Sequence, residues 1–403
     1  MTPVHIGFSD VTDPDRTAVV LAAKRLPTAK AGGAYRHIPA HDLAAPVMRA
    51  AVAAAGIDPG ALNDVILGNA TGGGGNVARL AALTAGFPDV VPGLTVDRQC
   101  ASGLEAIVLA CRLVQSGAGQ AYLAGGVESI STAPARANRR PDGTLDFIAR
   151  AQFAPLDTTN GGGGDPDAGV AAENVATAYG ITRERQDAYA LQSHQRAVAA
   201  AAAGEFDAEL HPLAGLAADQ GPRPKLTEKL LARFPAAFVD GGTVTAGNSC
   251  PYSDGAAAVV VTSVTLARSL AASPSHGLTF VDAATAGNEP ALMGVGAAHS
   301  TSILMQRTGL DAGALGRGLI EFNEAFASQV LAVADILGLD PDSLNRDGGA
   351  LALGHPYGAS GAVLVVRLLA QAAARGIEGL DAVAMISAAG GMGVSAQFRW
   401  QSL

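Results

Sequence analysis

Charge is scarce in this chain. Only 16% of its 403 residues are Asp, Glu, Lys or Arg, while 49% are hydrophobic. Much apolar surface must therefore be hidden, inside a large core or between subunits. The charge present sums to −9, which argues against nucleic acid as a general partner, although a local basic patch can still receive an anionic ligand. Cysteine is equally sparse. Three residues with no paired spacing give neither a disulfide framework nor a zinc site, and this fits a reducing compartment. The first sixteen residues carry Asp10, Asp13 and Asp15 and lack the apolar core of a signal peptide. No later run reads as uninterrupted enough to span a bilayer. The expectation is a soluble cytoplasmic protein without a membrane partner, built of two or three domains.

What is abundant is small. The 50 glycines and many alanines suggest close backbone packing around a sheet. Residues 18–23 read as a first strand, 43–55 as a helix ending at Gly56, and 64–68 as a short buried strand. The glycine run 72–75 lacks the Lys-Ser/Thr ending of a phosphate loop and reads as a turn. Leu94-Thr95-Val96 reads as the end of a buried strand, 104–114 as a buried helix, and 121–126 as a strand ending in small residues. From Ser131 to about Pro251 the chain becomes loop-rich, with one strong helix over 183–203 capped by Thr182 with Glu184 in its first turn. Alternation resumes at 256–261 and again near Leu278, so the fold class is α/β. An internal echo suggests two related halves: Ala101-Ser102-Gly103, an apolar helix and a strand with Ala124-Gly125-Gly126 recur as Ala359-Ser360-Gly361, a helix, a longer link, and a strand with Ala389-Gly390-Gly391.

Cys100 is the first candidate for chemistry. Strand, polar turn, cysteine and buried helix is an arrangement that presents a nucleophile at a helix N-terminus, where the macrodipole favours thiolate. A structural cysteine is the competing reading, and Cys111, deeper in the helix, is read that way. Three stretches stand out in the C-terminal half. Glu321-Phe322-Asn323-Glu324-Ala325-Phe326 places an amide and a carboxylate just after a strand. The segment from Asp347 to Gly361 sets His355 among small and turn-forming residues at a helix start. Ile386-Ser387-Ala388-Ala389-Gly390-Gly391-Met392-Gly393 is a glycine turn directly after a buried strand. The other seven histidines lack such settings and read as surface or satisfied side chains.

Together these stretches closely resemble the thiolase family, in family order and over nearly the whole chain, with Gly247-Asn248 and Asp254-Gly255-Ala256-Ala257 between them. The resemblance implies a thiolase fold: two duplicated βαβαβαββ halves in a five-layered αβαβα arrangement, with an inserted loop domain. The corresponding division is 1–130 with 256–276, the insertion 131–255, and 277–403. The resemblance also implies acyl transfer between thioesters of coenzyme A, by thiolytic cleavage of 3-ketoacyl-CoA or the reverse condensation, in fatty acid metabolism. By resemblance Cys100 is the acylated nucleophile and His355 its base. Asn323 with His355 builds one oxyanion site through a water, and the backbone N–H groups of Cys100 and Ala389 build the other. Gly390 lies in the same CoA-facing turn. Coenzyme A enters as substrate, with no permanent cofactor and no metal. The family forms dimers or dimers of dimers, so a homodimer or homotetramer is expected, with the first-half sheet edge near residues 121–124 in the interface.

The chain also departs from the family pattern. Ser387 stands where the family has a second cysteine, and a hydroxyl is a far weaker acid than a thiol of pKa about 8.5. Cys250 stands where serine is usual, on a segment resembling one that lines the CoA thiol end. Relocation of the α-carbon acid/base from 387 to 250 and two unrelated drifts are both open readings. Arg223 and Lys225 are candidates for the nucleotide phosphates, with a solvated charge cluster as the alternative. The run from Gly161 to Ala168 leaves acyl chain length open. Two other functions stay in view: a thioester acyltransferase or hydrolase without carbon–carbon chemistry, and a non-catalytic acyl-CoA-binding subunit.

Overall fold

Runs of valine and alanine bounded by turn residues become strands buried on both faces; all of Ser253–Ser263 is buried, as expected of a sheet covered by helices on either side. The structure is a computed structural model that describes residues 13–156, 164–270 and 275–403. The first part contains β1 (Ala18–Arg25), β2 (Ala29–Lys30), α1 (Ala40–Ala55), β3 (Asp64–Gly68), α2 (Val77–Thr84), β4 (Gly93–Val96), α3 (Ser102–Ser116) and β5 (Ala121–Glu128). The excursion holds β6 (Arg136–Arg139), β7 (Leu145–Ile148), α4 (Ala168–Ala178), α5 (Arg183–Ala202) and α6 (Glu228–Leu231), and β8 (Ser253–Ser263) and α7 (Val264–Ser269) then complete the first half. The second half has β9 (His276–Gly287), α8 (Gly296–Thr308), α9 (Ala312–Arg317), β10 (Leu319–Phe322), α10 (Ala327–Leu337), α11 (Ala350–Leu353), α12 (Tyr357–Arg375), β11 (Asp381–Ala388) and β12 (Met392–Ser402).

The strands pair in the order β4-β3-β5-β8-β1-β9-β12-β11-β10, with β2 against β8. Two halves repeat one pattern. β3 runs parallel to β4 and β5, and antiparallel β8 and β1 follow. β10 likewise runs parallel to β11 and to a bridge at Leu344, and antiparallel β12 and β9 follow. The halves meet at a short seam, Val19 opposite Thr279 and Val20 opposite Leu278. Helices α3 and α12 pack on each other between them, in a core that includes Leu104, Ile107, Val259, Leu364, Ile386 and Phe398. Helices α1 and α2 cover the outer face of one half and α8 and α10 that of the other. The layers are therefore αβαβα, as the resemblance implies.

Arg25 of β1, Glu209 of the excursion and Arg367 of α12 form a buried junction. Glu209 accepts from Arg25 Nε and from Arg367 Nη1, each at 2.6 Å, and Asp219 takes the far side of Arg25. The Phe206 ring lies against both guanidiniums. The junction ties the excursion to both halves.

Several expectations are corrected. Leu94 to Val96 belong to β4, which is half-exposed because it is the edge strand, and residues 121–124 lie inside the sheet between β3 and β8, not at its edge. The echo holds for the helices, but Ala124-Gly125-Gly126 lies within β5 whereas Ala389-Gly390-Gly391 forms the turn after β11. The extra length of the second copy lies mostly in its strand, since Ala389 follows the end of β11 whereas Ala124 lies near the start of β5, and its link is only slightly longer. Helix α12 is apolar and long enough for a bilayer by composition, but it is mostly buried in the middle layer. The sequence reading missed α4, whose small residues give weak helical contrast because several of its sides are buried. Glycines 161–163 and the first twelve residues lie outside the described residues.

Candidate active site

Cys100 sits where a strained turn meets α3. Gln99 is left-handed (φ 51°), and the Ser102 hydroxyl fastens the turn, donating to Gln99 O at 2.6 Å and accepting from Arg98 N–H at 2.8 Å. The half-buried Cys100 sulfur receives the Ala389 N–H from the turn after β11. Burial pushes this thiol up to about 12, and the carboxylates of Glu128 and Asp97 add to the effect, which the Ala389 and Cys100 N–H groups only partly offset. Burial thus opposes the thiolate that a helix N-terminus would favour. Cys100 precedes the first helical residue, and burial outweighs the dipole. The protonated thiol is the favoured form.

His355 lies between α11 and α12 and is almost fully buried. Its Nδ1 is 2.6 Å from Ser360 Oγ, one turn into α12, and its Nε2 is 3.5 Å from Asn323 Nδ2. With Nδ1–H donating to Ser360, Nε2 is left as the acceptor. Burial pushes the ring down to about 3, so it is neutral, with Nε2 free to accept a proton only as charge develops during reaction. Asn323 follows β10, where its N–H donates to Met385 O of β11 at 3.1 Å. Cys250 lies beside the same segment, its N–H donating to Ala325 O at 3.0 Å. Its thiol is raised by burial and then by the neighbouring Cys100.

Tyr357 stands at the middle of this group. Its ring meets the His355 ring edge to face at 5.1 Å between centroids and the Tyr252 ring at 6.2 Å. Its phenol is pushed up by burial, and then by Cys100, Tyr252 and Cys250. Tyr252 is 67% exposed and marks the open side. The fold thus brings Cys100, Cys250, Asn323, His355 and Ala389 together, and Gly390 follows in the turn against Phe153 O. A thiol, a neutral imidazole and converging backbone N–H groups are the parts required for nucleophilic acyl transfer.

Ser387 is oriented otherwise. Its hydroxyl donates to Gly294 O at 2.7 Å and accepts from Ala297 N–H at 3.0 Å, at the start of α8. On β11 it alternates with Ile386 and Ala388, which face the central core, and it shares its face with Met385. Arg223 and Lys225 line a cleft of about 410 Å³ with Pro224, Leu226, Leu230 and Phe234. The Arg223 N–H donates to His194 Nδ1 at 3.3 Å. Burial, then Arg223 and Lys30, push His194 down to about 4, so it is a satisfied neutral histidine, as read from the sequence. Sequence reasoning missed Tyr252, Tyr357 and Ser360. Tyr357 and Ser360 lie within the His355 motif, so position alone could have flagged them.

The residue order and the fold both have close counterparts. Residues 18–265 match the family model described as Thiolase, N-terminal domain, and 277–399 match Thiolase, C-terminal domain. The chain is similar to a putative acetyl-CoA C-acetyltransferase VraB of Staphylococcus haemolyticus, 42% identical over 88% of this chain and 92% of the relative. A protein of the same description from Staphylococcus epidermidis is 41% identical over 95% and 98%. Among solved structures, the Bacillus anthracis acetyl-CoA acetyltransferase superposes with a TM-score of 0.88, 34% identity and coverage of 96% and 99%. Human mitochondrial 3-ketoacyl-CoA thiolase in complex with CoA gives 0.87, 34%, and 96% and 98%.

Proposed function

The chain belongs to the thiolase family, and from that premise we propose how its residues carry out acyl transfer between CoA thioesters. The observation that carries the reading is the convergence of the Cys100 thiol, the Ala389 N–H and the neutral His355 imidazole from both halves of the fold. In the degradative direction, Cys100 gives its proton to His355 Nε2 as its sulfur attacks the keto carbon of a 3-ketoacyl-CoA. A thiol near 12 and an imidazole near 3 do not exchange a proton at rest. The transfer is completed only as the oxyanion forms and is stabilised. Collapse breaks the bond between C2 and C3 and expels the enolate of acetyl-CoA. A proton from an enzyme acid completes acetyl-CoA, CoA thiolate then attacks the acyl-Cys100 thioester, and the released Cys100 recovers its proton from His355.

We assign the enolate acid to Cys250 and regard Ser387 as occupying the place of the family's second cysteine. Two observations support this: the Ser387 hydroxyl is engaged by Gly294 and Ala297, and Cys250 lies close enough to Cys100 for each thiol to bear on Tyr357. Cys250 then recovers its proton from the incoming CoA thiol, which balances the cycle. Asn323 with His355 serves one oxyanion, and the N–H groups of Cys100 and Ala389 serve the other. Arg223 and Lys225, on the rim of an apolar cleft, take the CoA phosphates, and Gly390 lets the thioester approach the turn.

The same proposal covers the division at 130, 255 and 276, a cytoplasmic setting, a role in fatty acid metabolism, and a homo-oligomer. Its interface is assigned to edge strand β4, beside which Leu80, Leu83, Val90 and Leu94 are exposed. The test is a thiolysis assay across 3-ketoacyl-CoA chain lengths, run alongside condensation of acetyl-CoA. Acyl-enzyme formation without either reaction would favour a thioester transferase lacking carbon–carbon chemistry.

A further inference from the structure

The nucleophile and the base come from different halves of the fold, so their separation depends on what fastens one half to the other. Glycines make the approach close. A Cβ on Gly126 of β5 would lie 2.0 Å from Gly358 O, and one on Gly103 of α3 would lie 2.7 Å from the same atom. A Cβ on Gly358 would meet Asn69 Cα at 2.8 Å. One buried side chain spans this junction. Glu128, the last residue of β5, accepts through Oε1 from Asn69 Nδ2 at 2.8 Å, Thr71 N–H at 3.1 Å and Thr71 Oγ1 at 2.5 Å. Its Oε2 accepts from Ala70 N–H at 3.0 Å and from Gly358 N–H, in the first turn of α12, at 2.9 Å.

Every partner is a neutral donor, and among the described residues Glu128 forms no ion pair. Burial raises this carboxyl above its ordinary value, and the hydrogen bonds from Thr71, Ala70 and Gly358 oppose that shift by favouring the ionised form. A fully buried carboxylate without a cation is costly, and the reaction as described gives it no step. We propose, on the reading that Cys100 and His355 are the reacting pair, that Glu128 is a positioning residue: from the half that carries Cys100 it fastens the N-terminus of α12, and so sets where His355 stands.

The opposite end of the His355 segment is held the same way. Glu324 accepts from Leu351 N–H at 3.1 Å, Tyr189 Oη at 2.9 Å, Ser193 Oγ at 2.7 Å and Asn345 Nδ2 at 2.7 Å. Gly349 passes against it, since a Cβ there would lie 2.4 Å from its carboxyl carbon. Residues 349–358 are thus clamped at both ends, and Glu128 is the clamp that crosses between halves. Its charge also acts on Cys100 and raises the thiol further. That gives the role a readout that simple structural support would lack.

The experiment compares Glu128→Gln, Glu128→Asp and Thr71→Val with wild type. The readouts are circular dichroism melts, kcat and KM for acetoacetyl-CoA thiolysis, and the rate of Cys100 alkylation by iodoacetamide at pH 9, located by peptide mass. Glu128→Gln should lower kcat at least about thirtyfold with KM within about twofold, and should speed alkylation about fivefold because the opposing charge is gone. Glu128→Asp keeps the charge but shortens the reach, so alkylation stays at the wild-type rate while kcat falls. Thr71→Val removes one donor and should lower kcat about threefold with alkylation unchanged. If Glu128→Gln does not fold, the other two variants decide. Wild-type kcat in the folded variants, or alkylation unmoved in a folded Glu128→Gln, overturns the proposal while wild type still forms acyl-Cys100. Wild type that forms no acyl-Cys100 overturns both this proposal and the reading beneath it.

Discussion

The hydroxyl of Ser387 donates to the carbonyl of Gly294 at 2.7 Å, so this side chain fastens the start of α8. Ser387→Ala should therefore act on stability. The change removes two buried hydrogen bonds, each worth about 1 kcal/mol, and is read as a lower urea midpoint, with thiolysis changed less than about threefold. Cys250→Ser should abolish deuterium exchange into the acetyl-CoA methyl group while leaving acylation of Cys100 intact. Full exchange in Cys250→Ser would remove Cys250 from the mechanism.

The Arg25–Glu209–Arg367 junction predicts a large loss on truncation. Glu209→Ala leaves two buried guanidiniums short of a partner, a change that typically costs about 3–5 kcal/mol. Chemical denaturation should show it, whereas mutating the exposed Arg185–Asp335 pair should cost less than about 1 kcal/mol. Equal losses would contradict the assignment.

The pH dependence of stability follows from buried groups of opposite sign. His355 and His194 are held down to about 3 and about 4, first by burial, against about 6.5 in an unfolded chain. Below pH 6.5 the unfolded chain takes up protons that the folded protein refuses, so their contribution is lost as pH falls toward 4 and 3. Glu321 is pushed up to about 8 by burial, so the folded protein keeps a proton that the unfolded chain has shed, and stability falls as pH rises from about 4.3 through 8. Urea midpoints should decline between pH 6.5 and 8.5, and Glu321→Gln should flatten that decline. An unchanged slope would contradict it.

Much of this was legible in the sequence because the signals were local. Gly56 ends α1 with φ 66°, and Thr182 caps α5 by accepting from Arg185 N–H, as their positions require. The Cys100 turn and the His355 segment were visible for the same reason. What escaped depends on distant pairing. The hydrogen bond from Gly358 to Glu128 spans 230 residues, and nothing near either residue announces it. Whether Ser387 faces the centre or the outer helices turns on strand parity, which a shift of one residue reverses. That β4 rather than β5 lies at the edge follows from strand order, to which the local pattern is blind.

The exposed edge of β4 predicts association. Light scattering should give at least a dimer at micromolar concentration, and Leu94→Lys, which sets a charge on the half-exposed edge, should shift the protein toward monomer. Wild-type monomer, or a Leu94→Lys variant that assembles normally, would place the interface elsewhere.

Arg223→Ala and Lys225→Ala should raise KM for CoA with kcat nearly unchanged, and added salt should weaken CoA binding less in the variants than in wild type. Unaltered KM in both would return these residues to a solvated cluster.

The most direct test of the central claim is the mass of the Cys100 peptide after rapid quenching with acetoacetyl-CoA. The account predicts an acetyl group on Cys100, discharged by added CoA as acetyl-CoA and absent in Cys100→Ala. A wild-type peptide that stays unmodified while acetoacetyl-CoA is cleaved, or an acetyl group carried by Cys250 instead, would contradict it.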